Sequence, residues 1–400
     1  MEINKLNEEN LVEIPAENIF KSLGYDTENG YDLHPKKERA ERDSFSEVIL
    51  HRAKECISKI NPDLSSQIVD TALQQVRNLS SQTIVESNQK FQQMLVSGIK
   101  VTSTKDKTET KIVKLVDFEN IKNNNFLALR QFVVDQFGKC RADHVVFING
   151  IPLVILEYKD PANKNATTRD AYNQLGETEY QRDIPKLFYY NSFLVVSDGT
   201  IAKYGTFTAK YERFTGWKDP NNKEKKIEFE LETMLRGLFE KNTLLNVIQN
   251  FVEFESDGKE TIKKISMHHQ YHAVNKAVEK TRQVIKDKNE KRIGIVWHTT
   301  GSGKSLTMIL YSQLASKIPE LENPTFVVIT DRTDLDEQLF GFFKKAGFPY
   351  PKPDEAILEA DGIQDLREKL NIPSGKIIFT TLQKFQTTKE VKEARELFPK

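Results

Sequence analysis

The run from Trp297 to Ser305, WHTTGSGKS, constrains the fold of this chain more than any other segment, because a glycine-rich loop of this kind joins a strand to a helix. The apolar run from Ile293 to Trp297 predicts a short buried strand before it, and Leu306 to Ile318 predicts a helix after it. In that arrangement the backbone amides around Gly301 to Lys304 point at a nucleotide phosphate, with the positive end of the helix behind them. The segment therefore predicts ATP binding in an α/β domain.

The residues of this loop have separate predicted roles. Gly301 and Gly303 allow the chain to approach the β-phosphate closely, and Lys304 reaches the β- and γ-phosphates. The hydroxyl of Ser305 coordinates the Mg²⁺ that bridges those phosphates. His298 occupies the first position of the motif, where the common form has glycine. The weaker alternative to a phosphate-binding loop is a glycine-rich turn that only caps a surface helix. The nucleotide-binding residues predicted in the loop are Thr300, Gly301, Ser302, Gly303, Lys304 and Ser305, of which Thr300 and Ser302 complete its backbone.

Composition narrows the class of protein without naming a partner. The 400 residues, with 38% hydrophobic residues and 24 Phe, are enough for two to three globular domains. Lys plus Arg equals Asp plus Glu at 58 each, so no global positive field indicates nucleic acid. Cys56 and Cys140 are too few for a disulfide scaffold or a four-cysteine zinc site and favour a cytoplasmic location. A signal peptide and membrane insertion are not expected.

The pattern along the chain predicts a first domain over residues 1–256 with mixed α/β structure. Apolar residues between Phe45 and Ile60 recur at helical spacing, which predicts an opening helix that ends at Asn61-Pro62. The sequence SDGKE at 256–260 is the best linker candidate, so we place the domain boundary near residue 257.

The second predicted domain covers residues 257–400. After the nucleotide loop, a helix, a strand at 325–330, a helix after Asp334 and a strand at 376–381 follow one another. This alternation predicts a doubly wound parallel sheet with helices on its faces.

A β-hairpin between Arg141 and Lys159 carries the second group of candidate site residues. Its turn pair, Asn149-Gly150, is the commonest for a tight connection between two strands. Asp143 begins the first strand, and Glu157 and Lys159 end the second. Because side chains alternate along a strand, Glu157 and Lys159 share one face.

Whether Asp143 joins that face depends on the turn. A strict two-residue loop places Asp143 opposite Leu156, on the wrong face, whereas a three-residue loop with Gly150 in a left-handed bulge returns it to the Glu157 face. If the groups converge, Asp143 and Glu157 hold Mg²⁺, while Lys159 orients the attacking water and offsets phosphate charge. That is the chemistry of phosphodiester hydrolysis; the alternative is a set of solvated surface charges.

With these motifs in this order, the chain resembles the restriction subunit of type I restriction-modification enzymes over essentially all 400 residues. The resemblance implies a PD-(D/E)xK nuclease domain, matched by Asp143, Glu157 and Lys159, with Ala142 where the motif name has proline. It also implies that Glu47, in DSFSEVIL, is the helix glutamate that assists the metal site.

The family carries a glutamine and a tyrosine four residues apart after the lysine. Here Gln174 and Tyr180 are six residues apart, so these two positions align only if the helix breaks at Gly176.

The second domain resembles the first RecA-like motor domain of superfamily 2 helicases and translocases. Gln270, in HHQYHAVNKAV, corresponds to the glutamine that reads adenine, and the segments 327–339 and 379–385 correspond to motifs that touch the DNA backbone. The Asp-Glu-x-His motif of this family should follow soon after Phe385 and is not present by Lys400, so we expect the sequence to be a fragment.

The resemblance implies an ATP-driven translocase of double-stranded DNA fused to a Mg²⁺-dependent endonuclease. It further implies separate methyltransferase and DNA-specificity subunits as partners, and cleavage of unmodified foreign DNA. One alternative is a type III restriction or repair helicase subunit. Another is a non-catalytic, nucleotide-gated DNA-binding subunit, in which Asp143, Glu157 and Lys159 are surface charges.

Overall fold

The computed structural model describes residues 8–102, 109–163, 165–218, 229–256, 258, 260–287, 290–345, 356–373 and 375–385. These residues divide into two compact units. The first unit comprises the chain up to Phe254 together with Thr261–His268, and the second comprises Glu255–Glu260 and the chain from His269 onward. No helix among the described residues combines the length and apolar character that a membrane crossing requires.

The strands of the described residues are β1 (Asp26–Asn29), β2 (Ile99–Thr102), β3 (Thr110–Val113), β4 (Phe126–Asp135), β5 (Lys139–Ile148), β6 (Ile151–Tyr158), β7 (Phe193–Ser197), β8 (Ala202–Gly205), β9 (Val252–Ser256), β10 (Thr261–Ile265), β11 (Phe326–Thr330), β12 (Ile357–Glu359) and β13 (Ile377–Thr381).

The helices are α1 (Ile14–Ser22), α2 (Arg52–Ile60), α3 (Ser66–Arg77), α4 (Ile84–Ser97), α5 (Thr168–Gln174), α6 (Tyr180–Asp183), α7 (Pro185–Tyr189), α8 (Glu230–Leu238), α9 (Lys241–Asn250), α10 (His268–Lys286), α11 (Lys304–Ser316), α12 (Thr333–Lys345) and α13 (Ile363–Leu370). A π-helical turn, Glu9–Glu13, leads into α1. Short 3₁₀ turns lie at Ile121–Asn123, Tyr211–Arg213, Pro319–Leu321 and Leu382–Phe385.

The first unit is built on a six-stranded mixed sheet in the order β1-β4-β5-β6-β7-β8. Strand β6 lies between antiparallel β5 and parallel β7, and all eight of its residues are buried. A strand covered on both faces needs a continuous apolar run, which Ile151–Leu156 provides. Each fully buried aliphatic side chain of this kind contributes about 1.5–3 kcal/mol, so the hairpin is fixed in the core of the unit.

Helix α1 closes one side of this sheet. Pro15 stands in its first turn, where a missing backbone N–H costs nothing, and Ala16 and Phe20 form its fully buried face. Phe20 packs edge-to-face on Phe239, with 5.4 Å between the ring centroids. The helix and the π-helical turn before it are therefore held against the core rather than loosely attached.

The hairpin turn differs from the predicted three-residue loop. Asn149 and Gly150, with φ of 51° and 75°, form a two-residue connection, and Ile148 pairs with Ile151. A bulge further along β6 changes which residues of the two strands share a face. Phe147 pairs with Pro152 but Val146 pairs with Val154, so Leu153 is an extra residue in β6.

Pro152 accounts for this position, since proline has no N–H for the ladder and occurs in sheets at bulges. The carbonyl of the bulged Leu153 accepts a hydrogen bond from Ser192 N at 2.6 Å. The predicted bulge at Gly150 was wrong. The bulge at Leu153 nevertheless places Asp143 on the same face as Glu157, as the predicted bulge would have done.

The predicted opening helix begins later than expected, at Arg52, and ends at Ile60 just before Asn61-Pro62. Residues 41–51 form turns around the buried side chain of Arg42. The guanidinium of Arg42 donates to the carbonyl oxygens of Glu47, at 2.9 Å, and Val133, at 2.5 Å. Because a buried guanidinium must be saturated with acceptors, this segment gives its carbonyls to Arg42 instead of to a helix.

The second unit contains a three-stranded parallel sheet in the order β11-β13-β12. Its core consists of apolar residues from the strands and from helices α11 and α12: Ile309, Phe343, Ile357, Ile377 and Phe379. The predicted strands at 325–330 and 376–381 are confirmed as β11 and β13, and the predicted helices correspond to α11 and α12. The chain is thus mixed α/β, with a parallel sheet in the second unit, as expected.

The predicted strand before the nucleotide loop was wrong. Residues 291–299 have no regular secondary structure, and the side chains of Ile295 and Trp297 are 95% and 86% exposed. An apolar run becomes a strand only when a neighbouring strand supplies hydrogen-bond partners, and no strand of the described chain pairs with this run.

Candidate active site

The bulge at Leu153 brings Asp143 and Glu157 to the same face of the sheet. With His144 opposite Leu156, the next position of the ladder sets Asp143 opposite Glu157. Both carboxyl groups are buried, at 4% and 2% exposure. Asp143 Oδ2 accepts a hydrogen bond from the backbone N of Tyr158 at 2.8 Å, which fixes its side chain against the end of β6.

Lys159, Gln174 and Tyr180 form a hydrogen-bonded group beside Glu157. The ammonium of Lys159 donates to Gln174 Oε1 at 2.7 Å and lies 3.5 Å from Glu157 Oε1. The Gln174 amide donates to the Tyr180 hydroxyl at 3.2 Å, and that hydroxyl lies 3.3 Å from Glu157 Oε2. Helix α5 ends at Gln174 and α6 begins at Tyr180, so the six-residue spacing is accommodated by the predicted break near Gly176.

Two glutamates that precede α1 complete the acidic group around Asp143. Oxygen atoms of Glu8, Glu13 and Asp143 all lie within 4.8 Å of one another, an arrangement that could hold a metal ion. Glu47 is not part of it. The Glu47 carboxylate lies in a separate, exposed group with Asp43 and His51 and accepts from Asp43 N at 3.1 Å.

Gln131 positions Glu13 from the neighbouring strand β4. Its amide donates to Glu13 Oε2 at 2.6 Å, and its backbone adopts φ of 58°. This left-handed conformation is unfavourable for a glutamine and occurs where β4 runs opposite Asp143. Strained backbone of this kind is concentrated at functional sites. Gln131 therefore links β4, the strand next to Asp143, to Glu13, which lies close to Asp143.

The buried carboxyl groups have raised pKa values. Burial raises the pKa of Asp143 to about 7, and the acidic neighbours Glu13 and Glu8 add to the effect, although the Tyr158 amide opposes it. Burial, followed by the charge of Asp143, raises the pKa of Glu157 well above its usual range. The pKa values of Glu8 and Glu13 are also raised, chiefly by burial. Several carboxylates in one low-dielectric pocket cannot all ionise without a compensating cation.

The donor set fits a hard divalent cation. Glu8, Glu13 and Asp143 offer oxygen ligands only, which is the preference of Mg²⁺ and Ca²⁺ rather than of zinc. Glu157 lies opposite Asp143 in the hairpin, but its two oxygens face Tyr180 and Lys159. A cation held by the three carboxylates would lower their pKa values and stabilise their ionised forms.

In the second unit, the glycine-rich loop is held by hydrogen bonds within itself and from α10. Lys304 Nζ donates to the carbonyl oxygens of His298 and Thr299, at 3.0 and 3.1 Å. Gln270 Nε2 donates to the Gly303 carbonyl at 3.0 Å. Gly303 caps the N-terminus of α11 with φ of 82°, a conformation that favours glycine. The structure thus brings Gln270, Lys304 and the loop glycines together.

The family described as type I restriction enzyme R protein N terminus matches residues 5–213, which is more than half of the chain. The chain belongs to this family. The SWI2/SNF2 ATPase family matches residues 269–398, the region of the second unit that contains the glycine-rich loop.

The names of similar proteins agree with this match. The chain is 38% identical over 395 residues to the type I restriction enzyme HindI endonuclease subunit of Haemophilus influenzae, covering 96% of this chain and 37% of the relative. It is 36% identical over 411 residues to a Methanocaldococcus jannaschii protein named as the MjaIXP endonuclease subunit, covering 96% and 38%. The chain therefore spans less than two fifths of the length of these relatives.

In this R-protein chain the structure gathers most of the residues singled out from the sequence and adds three. Asp143, Glu157, Lys159, Gln174 and Tyr180 lie together, and Glu47 lies elsewhere. The residues that sequence reasoning missed are Glu8, Glu13 and Gln131. For Glu13 a signal existed, because it precedes Ala16 and Phe20 at spacings of three and seven and is an acid on the buried face of an amphipathic helix.

Proposed function

We propose that the chain is the nuclease and first motor region of a type I restriction enzyme. Residues 1–256 form a PD-(D/E)xK-type endonuclease domain, and residues 257–400 form the N-terminal part of the first RecA-like domain of a superfamily 2 translocase. The observation that carries the proposal is the convergence of Asp143, Glu157 and Lys159 on one sheet face.

The nuclease site is suited to hydrolysis of a phosphodiester bond. Asp143 would hold Mg²⁺ together with Glu8 and Glu13. Glu157, expected from the motif to be the second ligand, lies opposite Asp143 with its oxygens toward Tyr180 and Lys159. When bound, the cation supplies positive charge to the phosphate group as negative charge accumulates on its oxygens. Lys159 would orient the attacking water and offset the same charge, and Gln174 would fix its ammonium through the 2.7 Å hydrogen bond.

Tyr180 has a different proposed part. Its hydroxyl lies 2.7 Å from the Arg141 carbonyl oxygen and 3.3 Å from Glu157 Oε2, so it links the two strands that carry the acids. Burial raises its pKa, which keeps the hydroxyl neutral and able to donate. Tyr180 and Gln174 therefore act on the orientation of Glu157 and Lys159.

The second unit would bind ATP with Mg²⁺ at the glycine-rich loop. The Ser305 hydroxyl would contact the cation, Lys304 the β- and γ-phosphates, and Gln270 the adenine. Thr300, Gly301, Ser302 and Gly303 would surround the phosphates with backbone amides. Support comes from the SWI2/SNF2 match and from the proximity of Gln270 to Gly303.

The proposed complex would include double-stranded DNA and separate methyltransferase and specificity subunits, acting in the cytoplasm on unmodified foreign DNA. ATP turnover would move the duplex, and the nuclease site would cut it. The names of the relatives as type I restriction enzyme endonuclease subunits support this proposal.

The experiment that tests the nuclease assignment compares Glu157→Gln with Glu47→Gln in Mg²⁺-dependent cleavage of plasmid DNA by the assembled enzyme. We expect Glu157→Gln to reduce cleavage by about 10²–10⁴-fold while DNA binding persists, because it replaces an acid of the reacting centre by an amide that cannot exchange a proton. Glu47→Gln removes a glutamate of the exposed group and should cleave as the wild type does.

If Glu157→Gln cleaves normally, the buried acids of the hairpin have no catalytic part, and the alternative of a non-catalytic DNA-binding subunit is favoured. If the wild type cleaves equally well without divalent metal, the proposed chemistry is wrong.

A further inference from the structure

Two cations lie in line with Asp143 on the same face of β5. Lys139 and Arg141 are exposed, whereas the alternate residues Cys140 and Ala142 are buried. Residues two apart on a strand are separated by about 6.6 Å, so the row from Lys139 to Asp143 covers about 13 Å. The row ends at the acidic group that Asp143 forms with the two glutamates.

Arg141 stands where two cavities meet. A cavity of 290 Å³ is lined by Arg141, Tyr31 and the acids Glu8 and Glu13. A second cavity, of 480 Å³, is also lined by Arg141 and Tyr31, together with Lys139, Glu179, Gln174 and Tyr180. The guanidinium is thus beside the proposed metal ligands on one side and the residues that hold Lys159 on the other.

These two cations have no carboxylate partner within the described part of the chain. Arg141 donates from Nη1 to the hydroxyl of Tyr31 at 3.3 Å. Several other arginines of the unit pair with acids, such as Arg130 with Glu9 at 2.6 Å. Unlike these, Arg141 keeps donors available to a ligand.

The adjacent pocket makes such cations necessary for a phosphodiester substrate. In their ionised forms, Glu8, Glu13, Asp143 and Glu157 would together repel a phosphate, and Lys159 is hydrogen-bonded within their network. Positive charge along the approach compensates the repulsion and draws in a polyanion.

We propose that Arg141 and Lys139 bind backbone phosphates of the DNA strand that is cut, next to the phosphate at the Asp143 site. Tyr31 holds the Arg141 guanidinium in place through its hydroxyl. Arg141 and Lys139 are positioning residues, because they set the register of the strand relative to the site without touching the reacting atoms. This inference rests on the proposed nuclease function and identifies the surface along which its substrate lies.

The test measures binding of a short end-labelled DNA duplex to the full 400-residue chain by fluorescence anisotropy, over a series of salt concentrations. Calcium replaces magnesium so that the carboxylates are occupied. The variants are Arg141→Gln, Arg141→Lys and Lys139→Gln. The matched control is Arg236→Gln, which removes an exposed arginine of α8 that is paired with Glu232.

We expect Arg141→Gln and Lys139→Gln each to weaken binding by roughly fivefold to thirtyfold. Each should reduce the slope of log affinity against log salt by about 0.9, the value for one lost phosphate contact. Arg141→Lys keeps the charge and should keep the slope. In Mg²⁺ with plasmid, Arg141→Gln should raise the KM for DNA much more than it lowers kcat. The control should match the wild type throughout.

The inference is overturned if the wild type binds DNA and cleaves it with Mg²⁺ while Arg141→Gln and Lys139→Gln keep the wild-type salt slope. It is also overturned if Arg141→Lys loses as much slope as Arg141→Gln, because charge would then not be what matters. If the wild type itself fails to cleave with Mg²⁺ in the assembled enzyme, the proposed nuclease function is contradicted. If the wild type cleaves and only the salt slopes of the variants are unchanged, the role of Arg141 and Lys139 alone is contradicted. Thermal unfolding of each variant checks that the fold is intact.

Discussion

The two units of this chain differ in the burial and the hydrogen-bond partners of their charged site residues. In the first, the acids are buried in two paired strands and are fixed by partners such as Tyr158 N. In the second, the run that precedes the glycine-rich loop is exposed, and the Lys304 ammonium donates to two carbonyl oxygens of its own loop. A site held by a complete sheet is preassembled, whereas a loop held by its own hydrogen bonds must rearrange to take a ligand.

The two site lysines show the consequence of this difference. Lys159 already contacts Gln174 and Glu157, the groups with which it would work. Lys304 has to leave the carbonyl oxygens of His298 and Thr299 before it reaches a phosphate. We therefore expect metal binding to the first unit to cost little reorganisation and nucleotide binding to the second unit to cost more.

The largest effect that sharpens this comparison is expected for Glu13→Gln. The substitution removes a carboxylate from the preassembled acidic group, so Mg²⁺ affinity and DNA cleavage should fall by about 10–100-fold. Isothermal titration with Mg²⁺ and plasmid cleavage by the assembled enzyme measure the two quantities.

Glu47→Gln is the matched control for that variant, because Glu47 lies in the separate exposed group. Equal losses for the two variants, or a loss for Glu47→Gln alone, would contradict the placement of Glu13 at the site.

A second prediction concerns the pH dependence of stability in the metal-free protein. Burial raises the pKa of Asp143 from 3.8 to about 7, so the folded protein keeps a proton that the unfolded chain loses in this window. The free energy of unfolding should therefore fall as pH rises from about 4 to about 7, by about 2–4 kcal/mol from this group. Urea unfolding of wild type and Asp143→Asn over this pH range measures the difference.

Asp143→Asn has no proton to lose at this position and should show a correspondingly smaller decline. Added Mg²⁺ should restore stability above that range in the wild type more than in the variant. Identical pH profiles for the two proteins would show that Asp143 is not buried as described.

The smallest effect is expected in the second unit, for Gly303→Ala. Gly303 has φ of 82°, and an added Cβ would lie 2.4 Å from Gln270 Nε2. The substitution should cost about 1 kcal/mol and displace Gln270, lowering ATP affinity about fivefold. Fluorescent-nucleotide titration measures this change.

Gly301→Ala provides the comparison, since Gly301 has a similar φ of 79° but no atom near the added Cβ. It should show the backbone penalty without the displacement of Gln270. If the two variants lose ATP affinity equally, the contact between Gln270 and the loop does not matter for binding.

Sequence reasoning predicted the hairpin, the order of its acids and the parallel sheet of the second unit, because alternation and turn chemistry are local signals. It could not locate the bulge, because the position of the bulge depends on how β6 forms hydrogen bonds with the strands on either side. Pro152 was nevertheless a marker for the bulge in the sequence. It failed for Ile293–Trp297, since an apolar run does not specify whether a pairing strand exists.

The misplacement of Glu47 has the same origin. Helical spacing over residues 45–60 suggested a helix that would carry Glu47, but the pattern does not report the demand of the buried Arg42 for carbonyl acceptors. Tertiary hydrogen bonding outweighed local periodicity there, and the glutamates near Asp143 come from the N-terminal turn instead.

The most direct test of the central claim is Mg²⁺-dependent plasmid cleavage, measured together with ATP hydrolysis, by the subunit assembled with its partners. Wild type, Lys159→Ala and Lys304→Ala are compared. The account predicts that both variants fail to cut and that only Lys304→Ala loses ATP hydrolysis. Normal cutting by Lys159→Ala would contradict the nuclease assignment, and normal ATP hydrolysis by Lys304→Ala would contradict the assignment of the nucleotide loop.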